Sequence, residues 1–267
     1  MSERVKIEFR DGVADVRMSR AEKMNAIDSA MFSALGDAGR ALADDKSVRA
    51  VVLSGEGRAF CAGLDMESFA AMAGPRSGGG ADPKLFERSS SGANRAQLAA
   101  WIWQELPVPV IAAIHGVAYG GGLQIALGAD LRIVAPDARL SVMEVKWGLI
   151  PDMSGTQTLR RLVRQDVAKE LTFTGRVVSG TEAVALGLAT RASEKPLDDA
   201  LALAREIAGK SPDAVRAAKR LLQQSWQGSI ADGLKLEEEL QRSLIGKPNQ
   251  IEAVKANLEK RAPKFSD

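Results

Sequence analysis

The chain alternates between short apolar runs with a period of two and longer stretches whose apolar positions recur every three or four residues. VKIEFRDGVADVRM opens with two strand-like segments flanking Asp11-Gly12, a pair that favours a two-residue hairpin turn. Val5, Ile7 and Phe9 are expected to share one face of the first strand. NAIDSAMFSALGDAGRALADD then places Ile27, Met31, Leu35 and Leu42 at helical spacing, with Asp28 or Asn25 available as the N-cap. VRAVVLSGEG is a β-branched run closed by a glycine turn, the pattern of a strand buried on both faces.

Further on, PRSGGGADPK reads as a surface loop and GANRAQLAAWIWQEL as an amphipathic helix ended by PVP. Trp101 and Trp103 in that helix are expected to pack rather than to stack on a ligand. VPVIAAIHG predicts a second buried strand, and the glycine triplet Gly120–Gly122 opens an apolar helix behind it. LRIVAPDARLSVMEVKWGLIPD alternates strand-like pieces around a turn at Pro136-Asp137. GTQTLRRLV, DVAKELTFTG and SGTEAVALGL predict short helices, and from about Asp198 every segment has helical periodicity. Strands and helices thus alternate to about residue 195 ahead of an all-helical tail, which predicts an α/β core with a helical appendage.

Composition narrows the function only by exclusion. Hydrophobic residues make up 45% of the 267 positions and charged residues 26%, as in ordinary soluble globular proteins. The formal net charge of +2 makes no electrostatic case for nucleic acid. One cysteine, Cys61, and one histidine, His115, are too few for a disulfide framework or a structural zinc site. MSERVKIEFR lacks the apolar core of a secretory signal, and no uncharged apolar run approaches the roughly 18 residues of a membrane span. The expectation is a cytoplasmic protein.

The candidate chemistry starts at the glycines. A helix start leaves backbone N–H groups without partners and carries partial positive charge. Without a Cβ at Gly120, Gly121 and Gly122, an acceptor can approach that backbone closely. Taken alone, such a triplet is more often a tight strand-to-helix turn. A second small-residue stretch, GRAFCAGLDM, also follows a buried strand, so two loops could bring N–H groups to one oxygen.

EKMNAID, VVLSGEGRAFCAGLDM, PVPVIAAIHGVAYGGGLQIALGADLRI, SVMEVKWGLIPDMSGTQTLRRLV, GRVVSGTEAVALGLA and EAVKANLEKRAPKF, in that order, resemble the enoyl-CoA hydratase/isomerase (crotonase) superfamily over essentially the whole chain. The resemblance implies a spiral of ββα turns over residues 1–197 and a C-terminal helical oligomerisation region over 198–267, assembled as a homotrimer or hexamer. It implies an acyl-CoA thioester substrate, coenzyme A being part of the substrate and no separate cofactor or metal being needed. It places the two oxyanion-hole N–H groups on Ala62 and Gly121, and the coenzyme along Ala62, Gly63, Leu64, Asp65 and Met66. Lys23 and Met24 match a second coenzyme-lining segment, and Lys260 matches a lysine that reaches the coenzyme phosphates of a neighbouring subunit.

Family hydratases carry two acids, at positions that here are Gln124 and Glu144. Glutamine can hold a water but cannot take its proton near neutral pH. Glu144 alone suits a simpler reaction, moving a proton from the α- to the γ-carbon so that a β,γ double bond becomes conjugated. Asp152 resembles an additional acid of the dienoyl-CoA isomerases, and equally suits an N-cap for MSGTQTLRRL. Cys61 is expected to pack beside the oxyanion loop and His115 to make a structural hydrogen bond. Isomerisation is the favoured reading; hydration, or acyl-CoA binding without catalysis, are the alternatives.

Overall fold

A computed structural model describes residues 4–73 and 88–267. The predicted loop PRSGGGADPK lies outside them. β1 (Val5–Arg10) and β2 (Val13–Met18) form the expected hairpin, with Asp11 and Gly12 both at positive φ (52° and 79°) as its turn requires. Val5 is buried and Ile7 partly so, but Phe9 is 49% exposed because the distal end of the hairpin runs past the packed core. α1 (Ser29–Asp44) is capped by Asp28, whose carboxylate accepts from Met31 N at 2.8 Å. Asn25, the other candidate cap, is employed elsewhere.

β3 (Ala50–Gly55), α2 (Met66–Ala73), α3 (Arg95–Glu105), β4 (Val110–Ile114) and β5 (Val117–Tyr119) lead to the glycine helix α4 (Gly121–Leu127). β6 (Leu131–Val134), β7 (Arg139–Ser141), α5 (Gly155–Leu162), α6 (Gln165–Thr174), β8 (Val178–Ser179), α7 (Gly180–Leu186) and β9 (Arg191–Ala192) complete the alternating part. Among the described residues the strands form a six-stranded sheet ordered β1-β2-β3-β4-β6-β9, parallel apart from the hairpin, and a three-stranded sheet ordered β5-β7-β8. Consecutive turns of the chain therefore step from the large sheet to the small one and back through a helix, which is a spiral of ββα turns. Cys61 joins the same pattern by a parallel bridge to Ala118.

The large sheet is covered on both faces. Val51, Leu53, Ala112 and Ile114 enter the main core, while Ala50, Val52, Ile111 and Ala113 pack with Ala200, Ala204 and Ala208 of α8 (Pro196–Ala208). This two-sided burial accounts for strands that are apolar throughout. α8, the first helix of the predicted tail, is thus part of the sheet's packing. α9 (Pro212–Ser225) is tied to the core by the buried Lys219 ammonium, which meets Asp130 at 2.7 Å and the Val108 carbonyl at 2.9 Å. α10 (Ile230–Leu244) and α11 (Pro248–Leu258) follow. Trp103 is buried and donates to Ala99 O at 3.0 Å, and the Arg161 guanidinium covers the Trp101 ring; both tryptophans pack as expected.

Candidate active site

Two backbone loops meet where the spiral passes between its sheets. Cys61 N donates to Val117 O at 3.0 Å and Tyr119 N to Cys61 O at 3.1 Å, which sets the GRAFCAGLDM loop against the strand leading into the glycine triplet. The contact is too close for side chains. A Cβ on Gly122 would lie 2.3 Å from Cys61 O; one on Gly63, which also has φ +87°, would lie 2.6 Å from Tyr119 O and 3.8 Å from Gly121 N.

The loop is braced from behind by residues of the 20–28 segment. Asn25 sits at φ 55° and its amide donates to Glu56 O and Ala59 O at 2.9 and 2.8 Å. Arg20 is buried, ion-paired to the buried Asp65, and donates to Ala26 O at 3.0 Å.

The hydrogen bonds of this loop correct one expected role. Ala62 N–H is already used, donating to Met24 O at 2.9 Å, so it is not available to a ligand. Ile27 N donates to Gly63 O and Asp65 N to Ile27 O, so the intervening residue, Leu64, turns its N–H to the opposite side of the extended segment. That N–H has no acceptor among the described residues, and Leu64 lines the cavity. Gly121 N–H, in the first turn of α4, has no intrahelical partner either. Leu64 and Gly121 therefore each offer an open N–H, one from each loop. Sequence reasoning identified the loop but not the donor, because the choice depends on which N–H groups Met24 and Ile27 consume.

A cavity of about 450 Å³ opens onto these glycines. Its walls include Ile27, Phe32, Tyr119, Trp147 and Met153, and it holds Gln124, Glu144, Asp152 and Arg95. Gln124 is buried; its carbonyl accepts from Met153 N and Gly155 N, both at 2.9 Å, and its amide donates to Glu144 Oε1 at 2.5 Å. Two backbone donors on the carbonyl leave only the NH₂ to face the carboxylate. Glu144 begins a 3-10 turn (Glu144–Trp147), and among the described residues its Oε2 is buried without a partner.

Burial raises the Glu144 carboxyl above the ordinary range; the Gln124 hydrogen bond opposes the shift and the nearby Asp152 charge adds to it. Asp152 is itself raised by desolvation, although its outer side meets solvent. It does not cap the following helix. α5 starts from Ser154, at φ 66°, with no side-chain cap, and Asp152 faces the cavity instead.

The remaining candidates divide. Ala62, Gly63, Leu64 and Met66 border the cavity. Asp65 was expected to border the coenzyme, but its side chain is turned inward: it caps Glu67 N at 2.8 Å and pairs with Arg20. Lys23 is exposed and lies 3.7 Å from Glu67, and Met24, at φ 51°, contributes its carbonyl to Ala62. Neither lines the cavity, and neither does Lys260, which is exposed after α11 at φ 54°. Cys61 is buried, donates to Asn25 O, and has its thiol pushed up to about 12 by burial, so it packs as expected. His115 Nε2 meets Gly57 O at 2.9 Å, a structural contact outside the cavity. Arg95 had no signal in the sequence, where it reads as an ordinary charge on an amphipathic helix.

Comparison with known proteins agrees with this arrangement. The sequence model of the family described as enoyl-CoA hydratase/isomerase matches residues 8–267. The chain is 35% identical to the mitochondrial methylglutaconyl-CoA hydratase of Mus musculus, over 95% of this chain and 79% of that one. It is 36% identical to a probable enoyl-CoA hydratase of Bacillus subtilis (strain 168), over 90% of each. Among solved structures, an enoyl-CoA hydratase from Bacillus anthracis superposes with a TM-score of 0.87 at 30% identity, over 98% of both chains. A putative enoyl-CoA hydratase from Streptomyces coelicolor A3(2) reaches 0.89 at 31% identity, over all of this chain and 95% of that one. With the match running almost end to end in sequence and in fold, the chain belongs to the enoyl-CoA hydratase/isomerase family of enzymes.

Proposed function

We propose that this enzyme isomerises the double bond of an unsaturated acyl-CoA thioester from the β,γ to the α,β position. The observation that carries the reading is the locked Gln124 amide. It occupies one oxygen of Glu144 as a donor and leaves Oε2 as the buried carboxylate oxygen free to accept a proton.

The thioester oxygen takes the two open N–H groups of Leu64 and Gly121. Glu144 Oε2 accepts the α-proton, and the C–H electron pair moves onto the thioester oxygen as a conjugated enolate held by those donors. The proton returns from Oε2 to the γ-carbon, and the double bond is left between the α- and β-carbons. One base suffices. The raised proton affinity of Glu144 matches it to a carbon acid better than an ordinary carboxylate would be.

Hydration is the second reading, favoured by Asp152 and by the names of the relatives. Asp152 shares the cavity with Glu144 and could hold a water that adds to the β-carbon while Glu144 manages the α-proton. Incubation with 3-enoyl- and 2-enoyl-CoA thioesters separates the readings. Isomerisation gives 2-enoyl-CoA from the first with little 3-hydroxyacyl-CoA from the second. Rapid formation of 3-hydroxyacyl-CoA from 2-enoyl-CoA without double-bond migration would replace the proposal by hydration. Binding of both thioesters with turnover of neither would leave a binding protein.

Assembly with further copies of the chain is part of the same reading. It is supported by exposed Leu222, Trp226, Ile230 and Leu234 on and between α9 and α10, an apolar surface that a second copy would cover. Sedimentation equilibrium tests it, and a monomer at micromolar concentration would remove it.

A further inference from the structure

Arg95 is the only basic side chain lining the active-site cavity among the described residues. It stands at the first position of α3, in a helix start already capped by the reciprocal Asn94–Gln97 pair, so its guanidinium is not needed to finish that helix. One of its nitrogens reaches the first turns of α1, donating to Ser29 O at 2.5 Å, Ser29 Oγ at 2.8 Å and Ser33 Oγ at 2.9 Å. All three acceptors are neutral, and among the described residues no carboxylate pairs with Arg95. A guanidinium carries five N–H donors in a flat fork, and the contacts to α1 all use the same nitrogen, Nη2. The cation is held in place from one side, with no carboxylate on it among the described residues.

The surroundings extend the same charge. A second cavity of about 510 Å³ shares Ser29, Phe32 and Arg95 with the first, so Arg95 stands between them. Among the described residues, Arg40 and Arg88 line this outer cavity with a single acid, Asp37, which pairs with Arg40, and Arg88 is held by a neutral acceptor, Gly92 O, at 2.8 Å. Among the described residues, the first cavity thus holds the carboxylates Glu144 and Asp152, and guanidinium outnumbers acid in the outer cavity that shares Arg95 with it.

We infer that the acyl chain accepted by this enzyme carries a second carboxylate, which Arg95 binds where this cavity adjoins the outer one. The inference rests on reading the cavity as the acyl pocket of the proposed reaction. An apolar fatty chain would leave Arg95 facing hydrocarbon with no counter-charge, an arrangement that costs rather than contributes affinity. A chain-terminal carboxylate offers the bidentate geometry that a guanidinium fork matches. The coenzyme phosphates are the other anions on such a substrate. They lie a whole pantetheine arm away from the thioester, whereas a roughly spherical cavity of this volume is only about 10 Å across and contains both Glu144 and Arg95.

The test compares enoyl-CoA thioesters of equal length that end in a carboxylate, a methyl ester or a methyl group, with wild type, Arg95→Gln and Arg95→Lys. Thermal melting confirms that each variant is folded. Wild type should favour the carboxylate over both neutral chains by about 10- to 100-fold in kcat/KM, the range of one charge-assisted contact. Arg95→Gln should erase that preference through KM, and Arg95→Lys should restore part of it. Equal use of all three chains by wild type overturns the inference without any variant. A uniform loss on all thioesters in Arg95→Gln, matched by weaker binding of free coenzyme A, would assign Arg95 to the phosphates and also overturn it. If wild type turns over none of the thioesters, the proposed reaction fails. Calorimetric binding of the saturated carboxylate- and methyl-ended acyl-CoA esters then decides the inference separately, equal affinities overturning it.

Discussion

Gln124 holds Glu144 through a single 2.5 Å hydrogen bond, and Gln124 is itself held by Met153 and Gly155 N–H. The glutamine thereby joins the glycine helix to the 152–155 loop and determines which oxygen of the carboxylate stays open. Replacing it by glutamate would set two carboxylates against each other, so that they share one proton at neutral pH. Gln124→Glu is expected to lower isomerisation and to raise the ratio of 3-hydroxyacyl-CoA to isomerised product, read by chromatography of the CoA esters. An unchanged ratio would show that residue 124 does not select the reaction.

Glu144→Gln should reduce turnover by about 10²- to 10⁴-fold, the usual worth of a positioned acid–base group, while acyl-CoA binding is retained. The same variant should melt higher at neutral pH. Glu144 has a raised pKa in the folded state, so its stabilising contribution is present at low pH and is lost as pH rises through that pKa. The neutral amide avoids the loss, and the gain in Tm should vanish when both proteins are melted in the ordinary carboxylate range.

The acid limb of kcat/KM should lie above the ordinary carboxylate range, because Glu144 must be ionised to accept a proton and burial disfavours its charge. Asp152→Asn removes a like charge and should move the limb to lower pH. Gln124→Leu removes the donor that favours the charged form and should move it to higher pH. A limb that stays in place in both variants would mean that another group titrates.

Leu64 N–H is open and Ala62 N–H is engaged, a difference that can be read directly. An ester linkage in place of the peptide N–H at Leu64 should lower kcat by about 10²- to 10³-fold, the effect of losing one oxyanion donor. The same replacement at Ala62, whose N–H serves Met24 O, should act on stability, by about 1 kcal/mol, and little on kcat. The reverse pattern would return the donor role to Ala62.

Arg20 and Asp65 lie at 8% and 3% exposure behind that loop. Arg20→Met leaves Asp65 buried without its partner and should cost about 3 kcal/mol or more in urea unfolding. Arg20 also supports the segment that orients Leu64, so the folded fraction should show reduced kcat as well.

Much of this was legible in the linear chain. Asp11-Gly12 announced a hairpin, Asp28 a helix start, and the β-branched run around Val51 a strand buried on both faces, because each depends on neighbours in sequence. The glycines at 120–122 stood out because a close backbone approach demands them locally, whereas the carboxylate at 144 stood out only through the resemblance of its surroundings to the enoyl-CoA hydratase/isomerase family. Phe9 shares the face of Val5 and Ile7 as read, but its exposure was not legible, because burial depends on how far the core extends.

Local residue chemistry was thus enough for an α/β core with a helical tail and for two small-residue loops, while the spiral of ββα turns and the role of the acids came from the family resemblance. Folding had to assign the partners. The Ala62 N–H is spent on Met24, Asp65 turns inward to Arg20, and Asp152 faces the cavity rather than capping a helix. Arg95 reaches the active site only because α3 packs its start against α1, 66 residues away in the chain. A hydrogen bond or an ion pair between distant residues is a property of two positions at once, and the order of residues along the chain specifies it only through the fold.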